Sequence, residues 1–551
     1  MAKAEKLLFI GVSIALWVGL AFFAGGPIYS DEMLYIDMGL RNLVETHYGN
    51  RYFHVYLQKL FMALAPSPLI GIRIFWGFLM ALTASLVYLN ARTFYNGSTI
   101  FTGLLAVTIF FSYSIIDDYS GEPAVDITVM AVVIVYLTVY LDLLKRKGEG
   151  KYHLFFLGML AFFGLKTKET AIFVNFVLVG LLFGRLKGKG WLRSLVQYFV
   201  PFLAGLLGAI LIFIVLDSIF LGQPFFAIAP STYQGVFDKY DYSTVFINKP
   251  SSWYAVYLLD ETLVIFLLYI ISGLLLRDQI EPEKRLVWLY PLVYIIFLSW
   301  NMLNIPWGVV VRFIFPALPV FAMLAAQSID FTVLKKKWYI GAAILGAVGL
   351  FVILRQIWMQ TADDFNMEYF AVLDTVYFPI LISVLLASMI QSRRSHWAVT
   401  ILHIFILGTI LLIPLSNNFK YFIRYPKVRA RYAELFYPLE VFKEHLDIED
   451  DDKFYISTDL KNGLDMLSID PNDISGMVNF YFDERIDSEN VNVGYNRKTV
   501  AADLINRPFD YALLTGFDVS SLSRGTTWDE LAEIYSEIHK DEQGDVYLLK
   551  R

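Results

Sequence analysis

The sequence predicts an α-helical polytopic membrane protein with about thirteen transmembrane helices and a small C-terminal extracytoplasmic α/β domain. Three observations predict it. Hydrophobic residues make up 57 % of the 551 residues and charged residues 17 %, where a soluble domain runs at about 45–50 % apolar and about 25 % charged. Apolar runs of about 20 residues, long enough to cross a bilayer, recur along residues 1–416. Residues 417–551 hold 16 Lys and Arg against 26 Asp and Glu, leaving 29 against 25 for residues 1–416, so the two parts face different solvents. This composition excludes a soluble enzyme, a disordered chain and a nucleic-acid binder, so no nucleic acid is expected as a partner. With 46 Phe, 34 Tyr and 11 Trp the chain suits a bilayer and its interfaces. It has no cysteine, which removes disulfides, thiolate nucleophiles, Cys-zinc sites and iron–sulfur clusters.

The apolar runs fall near 7–24, 68–90, 99–116, 123–143, 152–165, 170–184, 195–217, 256–276, 286–303, 308–328, 338–358, 373–390 and 397–416. Lys3 and Lys6 precede the first, and no small-residue cleavage site follows, as expected of a retained anchor. The connecting loops alternate in charge. One set is basic: Lys145, Arg146, Lys147 and Lys151; Arg185, Lys187, Lys189 and Arg193; Arg277, Lys284 and Arg285; Lys335 to Lys337; Arg393 and Arg394. The other set is neutral or acidic, around Asp31, Asp117 and Asp363. Basic loops stay cytoplasmic. The N-terminus is therefore expected inside the cell membrane and residues 417–551 outside. The sequon Asn96-Gly97-Ser98 then falls on a cytoplasmic turn and is expected to stay unmodified.

The fifth and sixth runs are short. Fourteen helical residues cover about 21 Å of the roughly 30 Å hydrocarbon layer. Between them lies Lys166-Thr167-Lys168-Glu169, a charged turn expected below the outer surface, whether the runs are two short spans or one re-entrant hairpin. Charges at that depth face a wet cavity or a partner. Beyond residue 417, Lys427 to Leu446 reads as an amphipathic helix leading out of the membrane. Lys453–Ser457, Met477–Phe482, Tyr511–Leu514 and Val546–Leu549 read as strands, and Leu460–Leu467 and Thr527–Ile534 as helices between some of them. Alternating strands and helices point to an α/β domain. It has no glycine-rich phosphate loop, and the acidic run Glu449 to Asp452 reads as a solvated turn.

Four groups of residues could carry chemistry. Asp31 and Glu32 open the long first outer loop, residues 25–67, whose apolar pattern suggests short helices on the membrane surface. The pair suits a catalytic base, and equally the acidic start of a helix. Asp117, Asp118, Glu122 and Asp126 form a second outer acidic cluster, with helix capping as the alternative. Two acidic clusters on one side could also hold a divalent cation through oxygen ligands. No cofactor is otherwise indicated. Lys166, Lys168 and Arg312 are cations within or beside apolar runs. Arg312 either snorkels to the interface or binds phosphate. His47 and His54 lie in the first loop as surface or structural histidines. Parity puts Asp31, Glu32, the lysine turn and Arg312 at the outer face. There a base could activate a hydroxyl while cations stabilise a departing phosphate. A lipid phosphate explains cations at membrane depth.

These residues resemble those of the GT-C integral-membrane glycosyltransferases, in particular the protein O-mannosyltransferase and aminoarabinose transferase group. The resemblance covers residues 1–330. It rests on Asp31-Glu32 after the first span, Arg73 in Gly71-Ile72-Arg73-Ile74, the stretch Gly164 to Glu169, and Arg312 to Pro319. It implies a polyprenyl- or dolichyl-phosphate sugar donor, a glycan, lipid or protein acceptor, and an inverting single displacement. It implies Asp31 as the catalytic acid of the first loop with Glu32 beside it. It implies Lys168 (Lys166 as the second choice) and Arg312 as donor-phosphate ligands. Relatives often carry His-Pro-Pro late in the first loop, where this chain has Phe53-His54-Val55-Tyr56, the stretch in which His54 would meet an acceptor. The Trp-Trp-Asp motif of oligosaccharyltransferases is absent, which disfavours en bloc transfer of a glycan to Asn. From other classes, a transporter or lipid flippase, or a non-catalytic membrane subunit, would also suit many spans with buried charges.

Overall fold

The computed structural model describes residues 3–23, 35, 51–66, 68–95, 98, 100–111, 113, 124–146, 150–186, 191–226, 265–266, 268–270, 272–273, 280–304, 311–328, 453–456, 491–493, 504–506, 509–515, 527–540 and 546–551. The expected spans near 338–358, 373–390 and 397–416 and the exit helix at 427–446 lie outside them. So do the strand at 477–482 and the helix at 460–467.

The described residues between 3 and 328 build a helical body. Its helices are α1 (Lys3–Phe23), α2 (Tyr52–Leu64), α3 (Pro68–Phe94), α4 (Ile100–Phe110), α5 (Val125–Lys145), α6 (Lys151–Leu165), α7 (Phe176–Leu186), α8 (Trp191–Phe220), α9 (Pro282–Asn304) and α10 (Leu318–Ser328). Two 3-10 helices, Glu169–Asn175 and Val311–Ala317, lead into α7 and α10. All of these helices but α2, which lies in the first loop, fall on the apolar runs, because only a helix satisfies a long apolar segment's backbone internally. Three of them, in α3, α5 and α8, are long and apolar enough to cross a membrane.

Burial differs sharply among those three. Most of α5 is buried, and it occupies the middle of the body. On α8 the residues Val196, Val200, Leu203, Leu207, Leu211 and Val215 are exposed. Their spacing of three and four puts them on one face, the pattern of a helix turned toward lipid. The opposite face carries Ala209 and Phe213, fully buried against Phe53, Tyr56 and Phe162. Helix α1 runs antiparallel along α3. Trp17 Nε1 donates to the Ile74 carbonyl at 2.9 Å and Ser85 Oγ to Ser13 Oγ at 2.7 Å. At the other end of α3, Asn90 Nδ2 donates to Thr138 Oγ1 of α5 at 2.9 Å. Gln327 Nε2 of α10 donates to the Ala91 carbonyl at 2.6 Å. Ser98, the hydroxyl residue of the sequon, is buried and donates to Gln327 Oε1 at 2.7 Å.

Near the C-terminus five strands form one sheet: β1 (Phe454–Ile456), β2 (Val491–Val493), β3 (Tyr511–Thr515), β4 (Ser536–Lys540) and β5 (Val546–Lys550), in the order β2-β1-β3-β5-β4. The pairings of β1 with β2 and β3 are parallel, and those of β5 with β3 and β4 are antiparallel. Helix α11 (Thr527–Ile534) packs Leu531 and Ile534 into a core with Tyr455, Ala512, Leu514 and Leu549. The period-two alternation of Ala512 and Leu514 puts both on the face that meets it.

Candidate functional site

The charged turn is built by its backbone. Helix α6 ends as Lys166 N–H donates to the Phe162 carbonyl, and the amides of Thr167 and Lys168 both donate to the Gly164 carbonyl, each at 2.9 Å. Thr167 Oγ1 adds a bond to the Phe163 carbonyl at 2.8 Å. Lys168 is extended, at φ −170° and ψ 144°, and Glu169 then starts the first 3-10 helix. The first three residues of the turn are buried: Lys166 is 1 % exposed, Thr167 0 % and Lys168 4 %.

Each charge in the turn meets a named group. Lys168 Nζ donates to Asp126 Oδ1 at 2.5 Å and lies 3.7 Å from the centre of the Phe313 ring. Asp126 is buried in the first turn of α5, where the helix dipole favours a carboxylate. Glu169 accepts from Arg51 Nη1 through both oxygens, at 3.0 and 3.1 Å. Lys166 lies within electrostatic reach of Glu169 and of the fully buried Asp217, near the end of α8.

Helix α2 of the first loop is fixed to this turn along one side. Phe53 N–H donates to the Lys166 carbonyl at 3.0 Å, and the Phe53 ring stacks on Phe163 at 4.7 Å. His54 Nδ1 pairs with Thr128 Oγ1 of α5 at 2.7 Å. Tyr56 OH donates to Asp217 Oδ1 at 2.7 Å. Tyr35 is buried, with its ring edge-on to His54 at 5.5 Å. Burial, helped by the Arg51 charge, pushes the His54 imidazole down to about 3, so at neutral pH it is an uncharged hydrogen-bonding group.

Arg312 is the second residue of the 3-10 helix Val311–Ala317. Its neighbour Phe313 lies under the Lys168 ammonium, and Tyr294 OH holds the Phe313 carbonyl at 2.7 Å. The Arg312 backbone segment and the lysine turn, far apart in sequence, thus meet. The Arg312 side chain, Asp31, Glu32, Asp117, Asp118 and Glu122 lie outside the described residues. His54 is brought to the cluster, fully buried. Among the described residues, no three His, Asp or Glu side chains gather as a metal site.

Sequence reasoning missed several members. Asp126 was grouped with the outer acids, not with Lys168. Arg51, Tyr56 and Asp217 were not singled out. Two of them had a readable signal: Asp126 and Asp217 are acids inside apolar runs, and such charges require a partner.

The fold is shared with solved GT-C integral-membrane glycosyltransferases. Among solved structures sharing it are ArnT from Cupriavidus metallidurans bound to undecaprenyl phosphate and the same protein in the apo state. The first has a TM-score of 0.56 and 14 % identity over 100 % of this chain and 98 % of that one. The second has a TM-score of 0.56 and 12 % identity over 99 % and 98 %. The oligosaccharyltransferase AglB from Archaeoglobus fulgidus follows at a TM-score of 0.46 and 11 % identity, over 99 % of this chain and 74 % of that one. No protein-family model matches the sequence, and no curated protein matches it.

Proposed function

We propose that this protein is an inverting glycosyltransferase that moves a sugar from a polyprenyl- or dolichyl-phosphate donor to a hydroxyl of a glycan, lipid or protein. It would work at the outer face of the cell membrane. The observation behind this is the buried cluster of Lys166 and Lys168, packed against the first-loop helix and against the segment that carries Arg312. The fold shared with ArnT, seen bound to undecaprenyl phosphate, agrees with it.

In this mechanism Asp31 accepts the proton of the acceptor hydroxyl, with Glu32 beside it. The hydroxyl oxygen bonds to the anomeric carbon from the face opposite the phosphate. The bond from that carbon to the phosphate oxygen breaks, and its electron pair leaves with the lipid phosphate. One displacement inverts the anomeric centre. Lys166, Lys168 and Arg312 stabilise the charge growing on the phosphate. Among the described residues the cluster holds three cations, Arg51, Lys166 and Lys168, and three carboxylates, Asp126, Glu169 and Asp217. These described charges match in number, and Arg312 is assigned as a further cation for the incoming phosphate. His54, with Asp117, Asp118 and Glu122 as the second acidic group, lies on the acceptor side. No step requires a divalent cation. The N-terminus is cytoplasmic, the membrane domain spans residues 1–416, and the α/β domain of residues 417–551 is outside.

Purified protein given a labelled polyprenyl-phosphate sugar is expected to transfer the label. Asp31→Asn should abolish transfer, and wild-type turnover by that variant removes Asp31 as base. Arg312→Ala should raise the donor KM by roughly tenfold or more, the worth of a hydrogen bond to a charged group. Sugar-lipid movement across proteoliposomes without covalent transfer would mark a flippase instead.

A further inference from the structure

One side chain touches both halves of the cluster. Arg51 immediately precedes α2 and reaches both oxygens of Glu169, the residue after Lys168. Arg51 also hydrogen-bonds the side chain of Tyr35, four residues after Asp31. The path Tyr35–Arg51–Glu169 therefore ties two residues of the first loop to the residue that follows Lys168. Both charged members are partly shielded, at 17 % and 28 % side-chain exposure, so water screens the pair less than a surface contact. The attachment is reinforced within a few residues by the Phe53 N–H to Lys166 carbonyl bond, the Phe53–Phe163 stack and the Tyr56–Asp217 bond.

We infer that Arg51 and Glu169 are positioning residues, a latch that fixes the seating of the first-loop helix α2 on the lysine turn. The inference rests on the glycosyl-transfer reading above. A base must sit near attack distance from an acceptor oriented on a phosphate-bound donor. Errors of about 1 Å in such geometry cost rate up to a hundredfold. Loss of the latch should therefore fall mainly on turnover.

The test is kinetic. Glu169→Gln and Arg51→Gln should each lower kcat roughly tenfold or more, by a larger factor than any change in donor KM. Arg51→Lys keeps the charge but loses the guanidinium geometry and should recover part of the rate. The reversed pair Arg51→Glu with Glu169→Arg should be faster than either Gln variant. Single variants at wild-type kcat, or a rise in donor KM with kcat unchanged, would overturn the latch. Should Glu169→Gln fail to fold, Arg51→Lys carries the same comparison. A wild-type protein that transfers no sugar would sink the function above but leave the latch testable by amide exchange. The peptide containing Phe53 should exchange faster in Glu169→Gln than in wild type, and equal exchange would overturn the latch there too.

Discussion

The Lys168–Asp126 pair sets what a single residue can do here. Both side chains are almost wholly buried. Removing one partner of such a pair leaves a bare charge in a poor solvent, at a cost of about 3–5 kcal/mol. Asp126→Asn should therefore lower the thermal midpoint in detergent markedly. The double change Asp126→Asn with Lys168→Met should be closer to wild type in stability, while losing transfer. A double variant no more stable than the single would mean that the ion pair is not what Asp126 provides. His54 makes a second residue-scale prediction, with its sign fixed by burial. Its folded value lies near 3, below the ordinary 6.5. Below about pH 6.5 the unfolded chain takes up a proton that the folded chain refuses until about pH 3. Stability is then lost through that window, by up to about 1.4 kcal/mol per pH unit from this group. Melting curves from pH 7 to 4 should fall less steeply for His54→Asn than for wild type. The lysine turn could be read from sequence because its charges interrupt apolar runs. Its partners could not: Asp126 is 42 residues from Lys168, Arg51 is 118 from Glu169, and Tyr56 is 161 from Asp217. Packing alone creates those pairings.

At the scale of elements, α6 and α8 pack closely enough for backbone to touch backbone. A Cβ on Gly158 would run into the Phe202 carbonyl, and one on Gly205 into the Phe155 carbonyl. Small residues at such crossings are how helices approach in membranes, where lipid supplies no hydrophobic drive. Gly158→Ala and Gly205→Ala should each destabilise by about 1–3 kcal/mol, the range for overpacking, and the measure is the thermal midpoint. Since α6 carries the lysine turn and α8 carries Asp217, transfer should fall with stability. Unchanged midpoints would mean that the helices separate without cost. Long apolar runs made most of the helices legible, and α11 begins and ends at the expected Thr527 and Ile534. Strands β2 and β4 were not legible. Val491–Val493 is three residues long, and Ser536–Lys540 has one apolar residue, Ile538. Both sit at sheet edges, paired on one side only, with β1 and β5 respectively.

For the whole molecule, the deciding quantity is which side of the membrane each end occupies. The mechanism needs Asp31, the lysine turn and Arg312 to share the outer face, which the proposed orientation with basic loops inside would provide. The absence of cysteine gives a clean background for testing it. Lys151 at the start of α6 lies in a basic loop, Glu533 lies on α11, and both are exposed. Intact cells carrying Glu533→Cys should react with a membrane-impermeant maleimide. Cells carrying Lys151→Cys should react only after permeabilisation. The reverse pattern would invert the orientation and turn the candidate site toward the cytosol, where nucleotide-linked donors are available and the case for a lipid carrier weakens. Labelling of both positions from one side would break the odd span count that separates the C-terminal sheet from the basic loops.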